Sequence, residues 1–356
     1  MWVPGTRHEL VTLDEIKLSD IQAMRLILRG HSVVDWHKLH LHSLDDVKRF
    51  LHVNCFDPSD EKDVQRLRHL LRTSADYLEK TFNYHFPEEL RNPVSITDLF
   101  LIASSSSEFQ NLACVILKVM HIVNHIEARQ LRYRLPVSED FLYREAEDAV
   151  NRTVAELIAA GAPITTYKSS RKSRDSLITK LLAKKNTQAS QVFDRLRFRI
   201  VTRTALDIIP VLVYLKDHLL PYNYVVPGES RNEILDFQDV IEAIPGLRQY
   251  ANQLQFDFQL EEAADDEAWN RFSAADFRMI NFIVDMPLRV DSLLKNASDS
   301  ELEDLGYFVF VLVEFQIFDE QTDRNNQAGD ASHAKYKERQ KWEVIRRLVY
   351  GGEGTA

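Results

Sequence analysis

The stretch from Tyr307 to Ile317 reads Tyr-Phe-Val-Phe-Val-Leu-Val-Glu-Phe-Gln-Ile, an apolar run that only Glu314 and Gln316 interrupt. Aromatic and β-branched residues in a short apolar run predict a β-strand. Successive side chains in a strand point to opposite faces, so Val313 and Phe315 share one face while Glu314 and Gln316 lie on the other. A carboxylate in so apolar a strand is costly unless a cation or a hydrogen-bond donor meets it. Glu314 is therefore a candidate site residue.

Two earlier segments also show the composition or alternation of strands. Val192 to Arg203 alternates between apolar and charged residues, and Phe277 to Val284 is rich in aromatic and β-branched residues. Helices are predicted at about 205–219 and 331–349. The intervening stretch 226–270 carries an acidic run at 261–267, and we expect it to be an inserted helical subdomain or a long mobile loop.

The first 160 residues show helical periodicity, with apolar side chains three and four positions apart, as at Val115, Val119, Ile122 and Ile126. No strand pattern of similar strength occurs there. We therefore predict an α+β chain. It has an all-helical region over 1–160 and a domain over 161–350 with a β-sheet and flanking helices.

Composition excludes several classes of protein. The chain has 356 residues, 45% of them hydrophobic, with 10 Gly and 11 Pro, which excludes collagen-like and wholly disordered chains. No apolar run approaches the roughly 20 residues of a membrane-spanning helix. Only Cys55 and Cys114 occur, and no signal-peptide pattern is visible, so we expect a reducing compartment, the cytoplasm, and no membrane association.

The charge is unevenly distributed. The net charge of −10 argues against bulk nucleic-acid binding, DNA included. However, the segment from Lys168 to Arg203 holds eleven Lys or Arg and only two acids, Asp175 and Asp194, which gives +9. Such a concentration indicates a site for an anion such as a polyphosphate, or else a solvated basic face.

Two groups of residues in this half could carry chemistry. Lys172, Ser176, Lys180 and Lys184 are spaced four positions apart, which on a helix would place three ammonium groups and a hydroxyl along one stripe that suits a triphosphate. Asp194 is either paired with its neighbouring arginines or, together with Glu314, forms a carboxylate pair that binds Mg²⁺.

Four motifs in order resemble the synthetase domain of the RelA/SpoT family. They are Lys172-x-x-x-Ser176-x-x-x-Lys180, Phe193-Asp194-x-x-x-x-Arg199-Ile200, Val313-Glu314-x-Gln316-Ile317 and Gly329-x-x-x-His333-x-x-Tyr336-Lys337. The resemblance covers about residues 165–340. It implies a nucleotidyltransferase-like mixed sheet flanked by helices, and pyrophosphate transfer from ATP to a 3′-hydroxyl of GDP or GTP, which yields (p)ppGpp.

The resemblance also implies roles for individual residues. Asp194 and Glu314 would be the catalytic acids that bind Mg²⁺ or Mn²⁺, with Glu314 also near the hydroxyl to be activated. The ATP phosphates would be contacted by Lys172, Ser176, Lys180, Arg199 and Arg171. The acceptor side would comprise Phe277, Arg278, Asn281, Gln316, His333 and Tyr336.

The sequence departs from the family mainly on the acceptor side. Asp276 stands where the acceptor motif has Gly, Asn281 where it has His, and Phe318 where Arg follows Gln-Ile. Two alternatives therefore stay open: a toxin-like synthetase that pyrophosphorylates the 3′ end of tRNA, and a catalytically degenerate protein that binds nucleotide. A homo-oligomer is also open. Two histidine groups are alternative metal ligands, namely His37, His40 and His42, and His121 with His125.

Overall fold

A five-stranded mixed sheet forms the centre of the carboxy-terminal half in a computed structural model that describes residues 10–29, 41–183, 195–250, 277–294, 305–328 and 333–350. The strand order is β1-β2-β5-β4-β3. β2 and β5 are parallel, and the other neighbouring pairs are antiparallel. The strands are β1 (Ile164–Arg171), β2 (Leu196–Thr202), β3 (Arg231–Asn232), β4 (Ile280–Arg289) and β5 (Phe308–Asp319).

Helices precede, connect and follow the strands. Those before the sheet are α1 (Leu18–Arg29), α2 (Leu44–Val53), α3 (Glu61–Phe82), α4 (Glu88–Arg91), α5 (Ile96–Ala103), α6 (Gln110–Arg134) and α7 (Glu139–Ala159). The later ones are α8 (Arg174–Ala183), α9 (Ile208–His218), α10 (Phe237–Ala243), α11 (Asp291–Leu294), α12 (Glu320–Gln327) and α13 (His333–Tyr350). Short 3-10 helices occur at Leu13–Glu15, Tyr222–Tyr224 and Pro245–Tyr250. The α+β prediction is confirmed, and no described helix is long and apolar enough to span a bilayer.

An aromatic row fixes the apolar face of the sheet. Phe315 on β5 lies between Phe198 on β2 and Phe282 on β4, with ring centroids 5.3 Å away on both sides. All three rings are fully buried. Aromatic pairs on neighbouring strands add to the free energy gained from burial. The predicted alternation in β5 is therefore confirmed, because Phe315 lies on this face and Glu314 on the other.

The helices of the first half pack on the same core as the sheet. Asp63 on α3 is fully buried and accepts hydrogen bonds from both terminal nitrogens of Arg289 on β4, at 2.7 and 3.1 Å. The hydroxyl of Tyr307 also donates to Asp63, at 2.5 Å. Burial alone would lower the pKa of Arg289, but hydrogen bonds to Asp291 and Asp63 outweigh it and raise that pKa. This network joins helix to sheet through a compensated buried charge.

Strand β1 was not predicted from the sequence. Its residues are Ile-Thr-Thr-Tyr-Lys-Ser-Ser-Arg, a polar composition with a Lys/Arg content more typical of a loop. β1 lies at the sheet edge, where only one side must pair, and it follows β2 in antiparallel register from Ile164↔Thr202 to Arg171↔Leu196. Tertiary pairing therefore overrides the weak local preference.

The described part of the predicted insertion, residues 226–250, belongs to the same fold as the sheet. Arg231 and Asn232 form the edge strand β3 beside β4, and the described remainder to residue 250 buries Phe237 and Ile241 in the common core. This part is neither a subdomain of its own nor a long loop, because its apolar residues have no other core to enter. The acidic run at 261–267 lies outside the described residues.

Candidate active site

The second face of the sheet carries a row of polar side chains from three adjacent strands. Arg197 and Arg199 on β2 lie directly opposite Glu314 and Gln316 on β5, and Asn281 on β4 lies opposite Gln316. Residues opposite each other in register share a face. The parallel pairing of β2 with β5 brings Arg199 beside Glu314 and Gln316, and the antiparallel pairing of β4 with β5 adds Asn281 to the same face.

Glu314 is the most buried charged side chain of this row, with 8% of its side chain exposed. Its Oε2 accepts a hydrogen bond from Nε of Arg197 at 2.6 Å, and its Oε1 accepts one from Nε2 of Gln316 at 3.0 Å. The expectation that this carboxylate meets a cation and a donor is confirmed. A buried charge persists only when it is compensated in this way.

Arg199 is held by a carboxylate and an aromatic ring. Its guanidinium contacts Asp323 and lies over the ring of Phe318, 4.2 Å from the ring centroid. Asp323 is placed by α12, which starts directly after β5 because Asp319 caps it by accepting from the backbone N–H groups of Gln321 and Thr322, both at 3.0 Å. Arg199 therefore has a fixed position at the end of the polar row.

The acceptor-side residues lie around the start of β4. The ring of Phe277 meets Phe318 edge-on, with centroids 6.4 Å apart, so that part of its surface is already covered. Arg278 is fixed through its backbone: its N–H donates to Asn326 at 3.1 Å, and its carbonyl accepts from the same amide at 2.6 Å. Asn326 is buried, so this connection fixes α12 to the first residues before β4.

Two residues predicted to contact phosphates are placed differently. Arg171 is the last residue of β1 and contacts Glu147, at 2.7 Å from Nε, and Asp140, both on α7. Because Arg171 pairs with Leu196, it lies on the face opposite to Arg197. Lys172 is not on a helix: its N–H donates to the carbonyl of Arg195 at 2.9 Å and extends the β1–β2 pairing.

Ser176 and Lys180 do share a helix, α8, which begins only at Arg174. The hydroxyls of Ser173 and Ser176 lie 3.0 Å apart at its start. At its other end, Ala183 packs against Val344 of α13. The helix of the first motif thus contacts the helix that begins at His333.

Several predicted site residues are not described. Asp194 and Lys184 lie outside the described residues, as do His37 and His40. His333 and Tyr336 lie in the first turn of α13, and their side chains also lie outside the described part. Their roles stay predictions.

The described residues do not present a site for the implied Mg²⁺. Both oxygens of Glu314 are engaged, one by a guanidinium and one by an amide. Within the described ranges, no group of three or more His, Cys, Asp or Glu side chains could hold a metal ion. This also counts against His121 and His125 as ligands, since Nε2 of His125 instead contacts Asp285 Oδ2 at 2.7 Å.

Comparisons with known proteins give structural matches only. No protein-family model matches the chain, and no curated protein matches it. The solved structure of small alarmone synthetase 2 from Bacillus subtilis is 17% identical, with a TM-score of 0.31 over 60% of this chain and 96% of that one. Small alarmone synthetase 1 from the same organism is 17% identical, with a TM-score of 0.30 over 59% and 90%.

A further structure of small alarmone synthetase 1, described as bound to its product pppGpp, is 17% identical, with a TM-score of 0.28 over 63% and 95%. Likeness at this level does not decide the activity of this chain.

Two functional candidates were missed from sequence: Arg197 and Asp323. Arg197 was visible only as one of several arginines in a basic segment. Its pairing with Glu314 spans 117 positions, and it follows from the register of two strands that are not consecutive in sequence. Asp323 comes four residues after Asp319, but no local pattern tells which carboxylate of α12 faces the sheet.

Proposed function

We propose that this protein transfers pyrophosphate from ATP to the 3′-hydroxyl of GDP or GTP. The observation that carries the proposal is the polar face of the sheet. There, Arg199, Glu314 and Gln316, which belong to two separate motifs, lie on adjacent parallel strands. The acceptor-side residue Asn281 lies on the next strand of the same face.

The proposed reaction is a single displacement at phosphorus. The 3′-oxygen forms a bond to the β-phosphorus of ATP, and the bond between that phosphorus and the oxygen bridging to the α-phosphate breaks. AMP leaves with the bridging oxygen and its electron pair, and the hydroxyl proton passes to the Glu314 carboxylate. Such a displacement needs mainly alignment and neutralisation of charge.

The chain's own residues can supply both. Arg199 is a delocalised cation in a fixed position, which suits the bidentate recognition of phosphate oxygens. Lys180 and the hydroxyl of Ser176 on α8 would add point contacts to the phosphates, and Gln316 and Asn281 would donate to the acceptor.

Transfer of label from ATP carrying radioactive terminal phosphate would test this function. GDP, GTP and total tRNA are offered in parallel with Mg²⁺ to the wild-type protein and to Glu314→Gln, Arg199→Gln and Arg152→Gln. We expect label in a guanosine nucleotide, at least about 100-fold less with Glu314→Gln, and at least about tenfold less with Arg199→Gln. Arg152, an exposed residue of α7, is the matched control and should transfer normally.

The molecule that receives the label distinguishes the proposed function from its alternatives. Label that enters tRNA and not the nucleotides would replace the proposed acceptor with the 3′ end of tRNA. If no acceptor receives label in a way that depends on Glu314, the proposal of pyrophosphate transfer is overturned. Calorimetric binding of ATP to the same preparation would then favour the nucleotide-binding alternative.

A further inference from the structure

We propose that Arg197 is a built-in cation that competes with a divalent metal ion for Glu314. This deepens the proposed function, on which it rests in assigning Glu314 to the site. The observation is the 2.6 Å contact between Nε of Arg197 and Oε2 of Glu314, on the face where the sequence predicted a metal ligand.

The partly buried environment strengthens the attraction between Arg197 and Glu314. Glu314 has 8% of its side chain exposed and Arg197 29%, so water screens their attraction less than it would at an open surface. The second oxygen of Glu314 is also engaged, by Gln316 at 3.0 Å. Its carboxylate is therefore neutralised and hydrogen-bonded within the chain itself.

A divalent ion needs the same carboxylate. Mg²⁺ and Mn²⁺ bind carboxylate oxygens directly, and an adjacent guanidinium repels them while it holds the lone pairs they would use. A metal can bind Glu314 only when Arg197 turns away. The free energy needed to break the ion pair makes the free energy of metal binding less favourable by the same amount.

The neighbouring arginines show that this partnership is specific to one position. Arg195 contacts Glu139 on α7, and Arg199 contacts Asp323 on α12. Each therefore has a carboxylate that is not a candidate metal ligand. Arg197 alone among these three faces the acid of the third motif.

Binding of Mn²⁺ alone, followed by the electron paramagnetic resonance of the free ion, would test the competition. Arg197→Gln keeps a hydrogen-bond donor but removes the charge, whereas Arg197→Lys keeps the charge. We expect a dissociation constant at least about tenfold lower for Arg197→Gln than for wild type, and a value close to wild type for Arg197→Lys. Arg152→Gln, at an exposed position of α7, is the control and should bind like wild type.

The double variant Arg197→Gln/Glu314→Gln should lose the gain. Unchanged Mn²⁺ affinity in Arg197→Gln, a gain that persists in the double variant, or an equal gain in Arg197→Lys would each overturn the competition. Thermal unfolding of every variant verifies that it is folded. Label transfer in the wild-type protein is a separate readout, so a failure of pyrophosphate transfer would be recognised apart from a failure of the competition.

Discussion

His121 and His125 lie one turn apart on α6, and both rings pack near Tyr224, with centroids 4.3 and 6.0 Å from it. Burial, together with the smaller effect of the nearby charge of His125, lowers the pKa of His121 to about 3. His121 is therefore neutral in the folded protein at any pH where the chain is handled. In the unfolded chain its pKa returns to the ordinary value of 6.5.

This difference predicts a loss of stability in mild acid. Below about pH 6.5 the unfolded state binds a proton that the folded state does not, so stability falls as the pH falls toward 3. Between pH 7.5 and 5.5 the loss due to His121 is about 1.4 kcal/mol. We expect His121→Phe to lack this part of the decrease in urea unfolding. An equal decrease in both proteins would contradict the assignment.

Single residues also show what sequence reasoning can reach. The burial of Glu314 and its need for a partner followed from alternation in one apolar strand. The partner, Arg197, could not be named, since its identity depends on the register between distant strands. Lys172 was predicted to lie on the helix but precedes it, because the strand before α8 is longer than its composition indicates and ends only at Arg171.

Among the elements, β5 is both the central strand and the longest one of the sheet, and it pairs with β2 and β4. Phe315→Ala would remove the middle ring of the aromatic row and leave a cavity between Phe198 and Phe282. We expect a loss of about 3–5 kcal/mol in the free energy of unfolding, measured with urea. Phe315→Leu should lose clearly less, and equal losses would show that the cavity does not determine the cost.

Element prediction was best where composition and burial agree. The strands around Phe198 and Phe315 were found because both are apolar on one face, and α9 and α13 were found close to their observed bounds. β1 and β3 were missed because an edge strand can form with few apolar residues. Their pairing is decided by β2 and β4, which local sequence does not reveal.

At the scale of the whole molecule, the buried Asp63 connects the helical half to the sheet. Asp63→Asn would leave Arg289 and Tyr307 without the carboxylate that both now contact. We expect a loss of about 3 kcal/mol or more in the free energy of unfolding, since one partner of a buried ion pair is removed. Asp291→Asn also removes a partner of Arg289, but from a more exposed position, and it should cost less.

Unfolding followed by tryptophan fluorescence and by circular dichroism compares these variants. A loss in Asp291→Asn that equals or exceeds that in Asp63→Asn would contradict the role given to Asp63. The order of the motifs was visible from sequence. The common core and this network were not, because they depend on contacts across more than 200 positions.

The parallel pairing of β2 with β5 has a consequence for synthesis of the chain. Arg197 and Glu314 are 117 positions apart, so the ribosome makes β2 well before the strand that completes the sheet. At about 5–20 residues per second, β5 follows β2 by roughly 6–23 seconds. Contacts of such long range also slow folding. During this interval β1 and β2 have an unpaired edge, and a nascent chain that ends before β5 lacks the polar face that Arg199, Glu314 and Gln316 form together.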